Sequence, residues 1–287
     1  MATFVVAGVT GRVGSIVATE LMSRGHRVRG IIRDPAKAAQ WAAAGGEPVV
    51  GSLSDIDFLA RVLHGAEGFF TLLPEDPFAS DFHGMRRAMA ESIARAITIG
   101  GVPYVVVLSA VAACLADGNG PAKDLHYLER LIREASPKWT IIRAAWFQEN
   151  VGSIISAARQ GVFPSFMASA DQPFPTIATR DVGRIAASLL LSPPPASEVI
   201  DVVGPAYSPR DLAASLGTAL GKTVSVVDVP AAAHVGALMQ AGLPQSFAED
   251  VAELYACLNA GRVRPQGDRL LTGSTTLDEV LPNVLGA

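Results

Sequence analysis

Cysteine is scarce in this sequence: two residues, Cys114 and Cys257, among 287. They stand far apart and neither belongs to a C-x-x-C pair, which argues against a disulfide framework and a thiol-built metal site. No H-E-x-x-H or comparable ligand spacing occurs, so a protein without a metal is expected. Charge is thin as well, at 17% of residues with a net of −4. There is no basic surplus to meet a nucleic-acid backbone, and no nucleic-acid partner is expected. No uninterrupted apolar run reaches membrane length, and Met1-Ala2-Thr3 leads into the first apolar run without a charged leader. The expectation is a soluble, cytoplasmic protein with no membrane contact.

What the chain does have is apolar residue, 49% of the total. That is ample for one big domain, or for a domain with an appendage. The organising stretch is Phe4-Val5-Val6-Ala7-Gly8-Val9-Thr10-Gly11-Arg12-Val13-Gly14. Four apolar residues in a row mark a strand buried on both faces. Val13, Ile16, Val17 and Leu21 then share one face of a helix, and Gly25 suits its stop. Between strand and helix the spacing is G-x-x-G-x-x-G, not the G-x-G-x-x-G of the ordinary dinucleotide fingerprint. Such a turn aims free backbone N–H groups and the positive end of a helix dipole at one point, where a pyrophosphate can approach. A turn without a ligand can have the same spacing. Its position between a buried strand and an amphipathic helix is what points to a nucleotide fold.

Residues 28–32 read as a second strand. Asp34 suits an N-cap and Pro35 the first position of a helix running past Trp41 to Gly45-Gly46. Residues 48–50 are a short third strand, and Ser54-x-x-Asp57 resembles a capping box before a helix that ends at Gly65. A fourth strand covers 68–73 and stops at Pro74. A loop over 74–83 carries Phe78 and Phe82 and precedes a long helix to Ile99. A fifth strand over 104–108 is closed by Ser109. A flexible loop over 112–120, a helix over 121–134 and a sixth strand over 139–143 follow. This alternation means a parallel sheet with helices on both faces.

The pattern then changes. A helix over 151–159 precedes an irregular Pro-, Ser- and Phe-rich stretch over 163–174. A helix from Thr179 to Leu191 leads to a strand over 199–203 that returns to the main sheet. Beyond lie a helix from Ser208-Pro209 to Leu220, a strand over 223–229, helices around 231–241 and 245–260, and a tail over 271–287. The predicted class is α/β. A doubly wound parallel Rossmann sheet occupies residues 1–150 and is completed by about 176–203. A small, partly discontinuous substrate domain takes 151–175 and 204–287, with the cleft between the two.

The end of the second strand selects the dinucleotide. An acidic group there binds the ribose hydroxyls of NAD, and a cation pairs with the 2′-phosphate of NADP. Arg33 closes the strand and Lys37 follows one turn on, with Arg12 of the turn able to help. Asp34 could serve NAD, but a helix cap already accounts for it. NADP(H) is the expected cofactor.

At Thr140-Ile141-Ile142-Arg143-Ala144-Ala145-Trp146-Phe147-Gln148-Glu149-Asn150 the pattern T-x-x-R-x-x-x-F-x-E-N resembles the NmrA-like family of atypical short-chain dehydrogenases/reductases. Thr179-Arg180-Asp181-Val182, Gly204-Pro205 and Ala241-Gly242-Leu243-Pro244 resemble its later landmarks, and the likeness covers nearly the whole chain. The late segments look most like bacterial quinone and dye reductases. Two departures stand out: Ala144-Ala145 where members commonly have Pro-Gly, and Ser52 where many have Asp near the adenine. The resemblance implies that Thr10, Gly11, Arg12 and Val13 hold the pyrophosphate, while the turn's own geometry adds Gly8 and Gly14 to the cofactor site. It implies that Ser52, Leu53, Leu72, Leu73 and Pro74 lie along the adenine and ribose, and that Ser109 faces the nicotinamide. Core packing is an equal reading for the apolar ones.

Reduction of a carbonyl needs a hydride and a proton donor. The usual short-chain enzymes supply Y-x-x-x-K, and none of the four tyrosines here is followed by lysine at that spacing. The helix after the fifth strand carries Lys123, His126 and Tyr127, of which Lys123 and Tyr127 can share a face. These three are the candidates for catalysis, with Lys123 also a candidate for the nicotinamide ribose. Without a dyad, the natural substrate is a quinonoid or electron-poor aromatic compound, which takes hydride unaided. Phe78, Phe82, Trp146, Phe147, Asn150, Phe163, Met167 and Tyr255 are candidates for its cleft, although each aromatic could equally be core. The expectation is an NADPH-dependent reductase. A non-catalytic NADP(H) sensor is the alternative, a private biosynthetic substrate a third reading, and a homodimer possible through the long flanking helices.

Overall fold

The computed structural model of the protein describes residues 1–286. Its layers follow from the side-chain period of a strand. In β1 (Thr3–Ala7), Phe4 and Val6 join one apolar cluster, while Val5 and Ala7 join another on the opposite face. Both faces are therefore buried, and helices must cover both. The chain obliges with α1 (Arg12–Ser23), β2 (Arg27–Ile32), α2 (Ala38–Ala43), β3 (Glu47–Val50), α3 (Ile56–Leu63), β4 (Gly68–Thr71), α4 (Phe82–Gly100), β5 (Val105–Ala110), α5 (Ala122–Ala135) and β6 (Trp139–Ala144). Helix α1 packs in the first cluster, and α3, α4 and α5 pack in the second.

The second half continues with β7 (Trp146–Phe147), α6 (Ile155–Arg159), β8 (Val162–Ser165), β9 (Phe174–Ile177), α7 (Thr179–Leu191), β10 (Glu198–Val203), β11 (Ala206–Tyr207), α8 (Pro209–Leu220) and β12 (Ser225–Asp228). Then come α9 (His234–Gln240), α10 (Gln245–Asn259), β13 (Arg269–Thr272) and α11 (Leu277–Leu285). The main sheet has eight strands in the order β13-β10-β6-β5-β4-β1-β2-β3. Every pairing in it is parallel. The chain starts in the middle at β1, winds out to β3, then crosses to β4 on the other side of β1. That reversal is the topological switch point of a doubly wound Rossmann-like sheet, and ligands bind there outside the carboxyl ends of the strands.

A third apolar cluster stands apart from the sheet. Val151, Ala158, Phe163, Leu212, Ala213, Leu216, Leu277 and Leu281 are its buried members. Two small sheets, β11-β9-β7 and β12-β8, border it. Among the described residues, no helix is long and apolar enough to cross a membrane.

Several expectations need correction. The tail is not a tail: β13 pairs in parallel with β10 and closes one edge of the main sheet, and α11 follows. As a largely exposed edge strand, β13 lacks the continuous apolar run of a central one. Its helix did leave a signal, because Thr276 and Glu279 form a complete capping box. Residue 287 lies outside the described residues. Helix α3 is capped by Asp55, which accepts from Phe58 N at 2.9 Å, and not by Ser54, whose N–H turns back to Ser52 Oγ. The predicted helix over 151–159 is α-helical only from Ile155, after a 3-10 segment Gln148–Ile154. The stretch over 163–174 contains β8. The supposed flexible loop begins with a 3-10 turn, Val111–Cys114, and is pinned by buried Asn119, whose Nδ2 donates to the Ala112 and Leu115 carbonyls.

The box on α11 carries a pH dependence. Glu279 accepts from Thr276 N, from Arg180 Nη2 and from Thr276 Oγ1, and these bonds hold its carboxyl down to about 2. A carboxyl lower in the folded than in the unfolded chain stabilises above its unfolded value and loses that effect as pH falls. The difference in urea midpoint between the parent protein and Glu279→Gln is therefore expected to be full above about pH 4.5 and to shrink towards pH 2. A difference that stays constant across that range would contradict the assignment.

Candidate cofactor and substrate site

The glycine turn lies at the switch point, between β1 and α1. Gly8 has a φ of +68°, a left-handed conformation that costs an ordinary residue strain. A Cβ on Gly14 would lie 2.7 Å from the Ala7 carbonyl oxygen, and closer still to that of Gly8. Glycine at 14 thus lets α1 rest directly on the end of β1. Gly11 is the N-cap of α1 and offers no side-chain acceptor, so the first N–H groups of the helix stay open. Thr10, Gly11 and Arg12 are exposed, and Val13 is buried beneath them. The turn therefore presents uncapped donors and a helix dipole to solvent, as an anion site requires.

Around it, the residues expected along a dinucleotide take several roles. Leu72 is half-buried and packs over the turn, its Cδ2 3.0 Å from the place a Cβ on Gly8 would occupy. Leu53 and Leu73 are buried in the core. Ser52 spends its hydroxyl oxygen on Ser54 N at 3.1 Å. Pro74 presents its carbonyl to Arg86 Nη1 at 3.3 Å. At the end of β2, Arg33 and Lys37 are exposed, while Asp34 accepts from Ala36 N at 3.0 Å as the cap of the following 3-10 turn. The Arg12 guanidinium leans on the Glu149 carbonyl at 3.5 Å, beside a cleft of about 630 Å³ that Arg159, Arg180 and Val284 also line.

Ser109 lies one residue before the end of β5 with its hydroxyl turned inward. It donates to Glu129 Oε1 at 2.6 Å, and Arg143 forks onto the same carboxylate at 2.9 and 2.6 Å. All three side chains are buried. Burial works to lower the Arg143 pKa, but the hydrogen bonds and charge of Glu129 outweigh it and the net direction is up. Sequence reasoning missed Glu129, because its role exists only once α5 lies against β5 and β6.

The three proposed catalytic side chains do not converge. Tyr127 gives its hydroxyl to Glu91 on α4 at 2.8 Å, and that bond raises its pKa. Lys123 pairs with Asp250 on α10 at 3.0 Å. His126 uses Nδ1 to hold the Ala113 carbonyl at 2.9 Å, which leaves Nε2 free of any partner among the described residues. The substrate candidates also divide. Phe163 is core of the third cluster, and Trp146 packs edge-on to Phe174 against that cluster. Phe147 packs against the first cluster. Phe82 is buried edge-on to Phe247, whereas Phe78 is 72% exposed on the loop after β4. Asn150 is exposed. Tyr255 of α10 stacks on Phe166, with His234 at their edge and Met167 beside Phe166 in the chain. Asn259, one turn after Tyr255, fastens this loop through Phe166 O and Ala168 N.

The sequence profile of the NmrA-like family matches residues 1–280. The chain belongs to the NmrA-like family. Among relatives, an NAD(P)H azoreductase of Xenophilus azovorans is 28% identical over 253 residues, 88% of this chain and 85% of that protein. Quinone oxidoreductase 2 of Escherichia coli K12 is 26% identical over 252 residues, 86% of this chain and 85% of that one. A Citrobacter sp. triphenylmethane reductase, solved in complex with NADP(H), superposes with a TM-score of 0.82 at 19% identity, covering 99% of this chain and 100% of that one. At that identity the last match speaks to the fold.

In this NmrA-like chain the family landmarks join distant parts. Thr140 Oγ1 meets the Tyr104 hydroxyl at 2.7 Å under the sheet. Glu149 caps α7, accepting from Thr179 N at 2.9 and 3.1 Å and from Thr179 Oγ1 at 2.5 Å. Asp181 accepts from Thr275 N and Oγ1 at 2.9 and 2.7 Å. These buried bonds tie the segment after β6 to α7 and to the start of α11.

Proposed function

We propose that the protein is an NADPH-dependent reductase that passes hydride to a quinonoid or electron-poor aromatic small molecule. The observation that carries this reading is the uncapped N-terminus of α1 behind Gly8 and Gly14, at the switch point of a parallel sheet. Open N–H donors at the start of a helix that Gly14 seats directly on the end of β1 fit a pyrophosphate. When bound, the dinucleotide supplies the hydride.

The chain's own residues bind and orient. The N–H groups of Arg12, Val13 and Gly14 take the pyrophosphate oxygens, while that of Gly11 closes the turn on the Gly8 carbonyl at 2.8 Å, and Arg33 with Lys37 takes the 2′-phosphate. Asp34, spent on its cap, does not compete for the ribose. Leu53, Leu72 and Pro74 flank the adenine and ribose. The layer formed by residues 151–175 and 204–268, together with α11, serves as the substrate domain, and the Phe166–Tyr255 stack gives an apolar face suited to a flat ring. No tyrosine–lysine pair delivers a proton. Water does so, or the His126 imidazolium, whose Nδ1–H stays on the Ala113 carbonyl while the Nε2 proton leaves and the ring ends neutral. The names of the azoreductase and quinone oxidoreductase relatives support this substrate class.

The test is titration with NADPH, NADP, NADH and NAD, followed by turnover with quinones and azo dyes. Arg33→Ala is expected to weaken NADPH by about ten- to a hundredfold, the loss of a charge-assisted hydrogen bond, and to leave NADH unchanged. If no dinucleotide binds, the reductase reading fails. If NADH binds better than NADPH, Asp34 reads the ribose. If NADP and NADPH bind without turnover of any acceptor, the protein senses the cofactor instead of using it.

A further inference from the structure

Helix α10 touches the N-terminal ends of α4 and α5. Both helices start where strands β4 and β5 finish, so α10 lies across the carboxyl end of the sheet, the end that carries the glycine turn. Its moorings are specific. Phe247 meets Phe82 edge-on at 5.0 Å. Glu253 accepts from Gly120 N at 3.0 Å. Asp250 takes Lys123 Nζ on Oδ1 at 3.0 Å and His83 Nε2 on Oδ2 at 2.8 Å.

His83 has a second carboxylate on its other side. Its Nδ1 lies 2.6 Å from Asp124 Oδ2. Asp124 is fully buried, and the Arg86 and Arg87 Nε atoms stand 3.4 and 3.3 Å from its oxygens. Arg86 is fully buried itself and reaches Glu75 at 3.8 Å. The groups around the ring are therefore Asp124 and Lys123 from α5, Asp250 and Glu253 from α10, Arg86 and Arg87 from α4, and Glu75 beyond them.

A neutral imidazole has one N–H and one lone pair, whereas an imidazolium has two N–H groups. A carboxylate oxygen at hydrogen-bond distance from each ring nitrogen is satisfied only by the second form. Removing the proton turns a lone pair onto one carboxylate. Asp124 then still has two guanidiniums, but Asp250 keeps only Lys123.

We infer that His83 is a positioning residue: as the imidazolium it joins α4, α5 and α10, and so holds α10 across the carboxyl ends of the strands. This rests on the reductase reading to the extent that α10 covers the working cleft. Loss of the proton loosens the α10 end of the clamp. The substrate face bearing Tyr255 is then less well held, which raises KM more than it lowers kcat.

Backbone hydrogen exchange over residues 245–259, corrected for intrinsic rates, tests the clamp without any turnover. In the parent protein, protection of this helix is expected to fall on the order of tenfold from pH 6 to pH 8. His83→Gln and Asp250→Asn are both expected to flatten that dependence. In parallel, KM for menadione with NADPH is expected to rise over the same interval in the parent and to stay level in both variants. Protection that does not change with pH in the parent, or that falls equally in the variants, overturns the proposal. Should His83→Gln fail to fold, Asp250→Asn alone decides it. If exchange behaves as expected but NADPH is not oxidised at any pH, the reductase reading fails and the clamp stands.

Discussion

Gly14→Val is expected to abolish dinucleotide binding and to lower the unfolding free energy by about 3 kcal/mol or more. A Cβ at this position meets the Gly8 and Ala7 carbonyl oxygens, which are backbone atoms held by β1 and cannot swing aside. Relief requires α1 to lift off the end of β1. That move drags Val13 and Val17 out of the first apolar cluster and tilts the open N–H groups off their common point. Gly14→Ala is expected to show the same two effects at smaller size. NADPH fluorescence titration measures the first and urea unfolding the second. A valine variant that binds NADPH like the parent would mean that the turn does not hold the dinucleotide as described.

Arg143→Ala is expected to destabilise the fold by about 3 to 5 kcal/mol, the range for breaking a buried ion pair from one side. The loss comes from what stays behind. Glu129 remains a buried carboxylate that keeps only the Ser109 hydroxyl and a 3.8 Å contact with Arg133. Replacing both partners at once, as Arg143→Met with Glu129→Met, is expected to recover much of the stability, because no charge is then left unpaired. A double-mutant cycle by urea unfolding gives the coupling. If the two single changes simply add, the pair does not act as a unit. Since Ser109 sits near the end of β5, the Arg143→Ala protein is also expected to bind NADPH more weakly.

The central sheet was legible because buried parallel strands write themselves as unbroken apolar runs. Residues 4–7 and 105–108 do so, and punctuation such as Gly25 and the Asp34 cap marks the joins. The same logic hid β13, since an exposed edge strand needs no apolar run. Asp55 was passed over for Ser54 because both residues suit a cap, and only the backbone decides which side chain reaches an N–H.

The site was legible to the extent that it is local. The turn and Arg33 lie within one βαβ segment. Asp124 and Asp250 are separated by 41 and 167 positions from His83, the ring that joins them, and no spacing rule connects the three. Lys123 pairs with Asp250 of α10, a partner 127 positions away that no local spacing discloses. Phe163 and Tyr255 look equivalent in sequence, yet one fills a core and the other faces a stacked partner. Burial separates them, and burial is a property of the whole chain.

The pairing of β13 with β10 has a consequence for the order of events as the polypeptide is made. Strands β1 to β10 emerge first, and until residues 269–272 follow, Ile200–Val203 have no neighbour on one side. The third apolar cluster waits on the same late segment, because Leu277 and Leu281 belong to it. Residues 269–285 thus complete two layers together. Until then the nascent chain carries a bare strand beside an unfilled hollow, the state most open to pairing with a stranger.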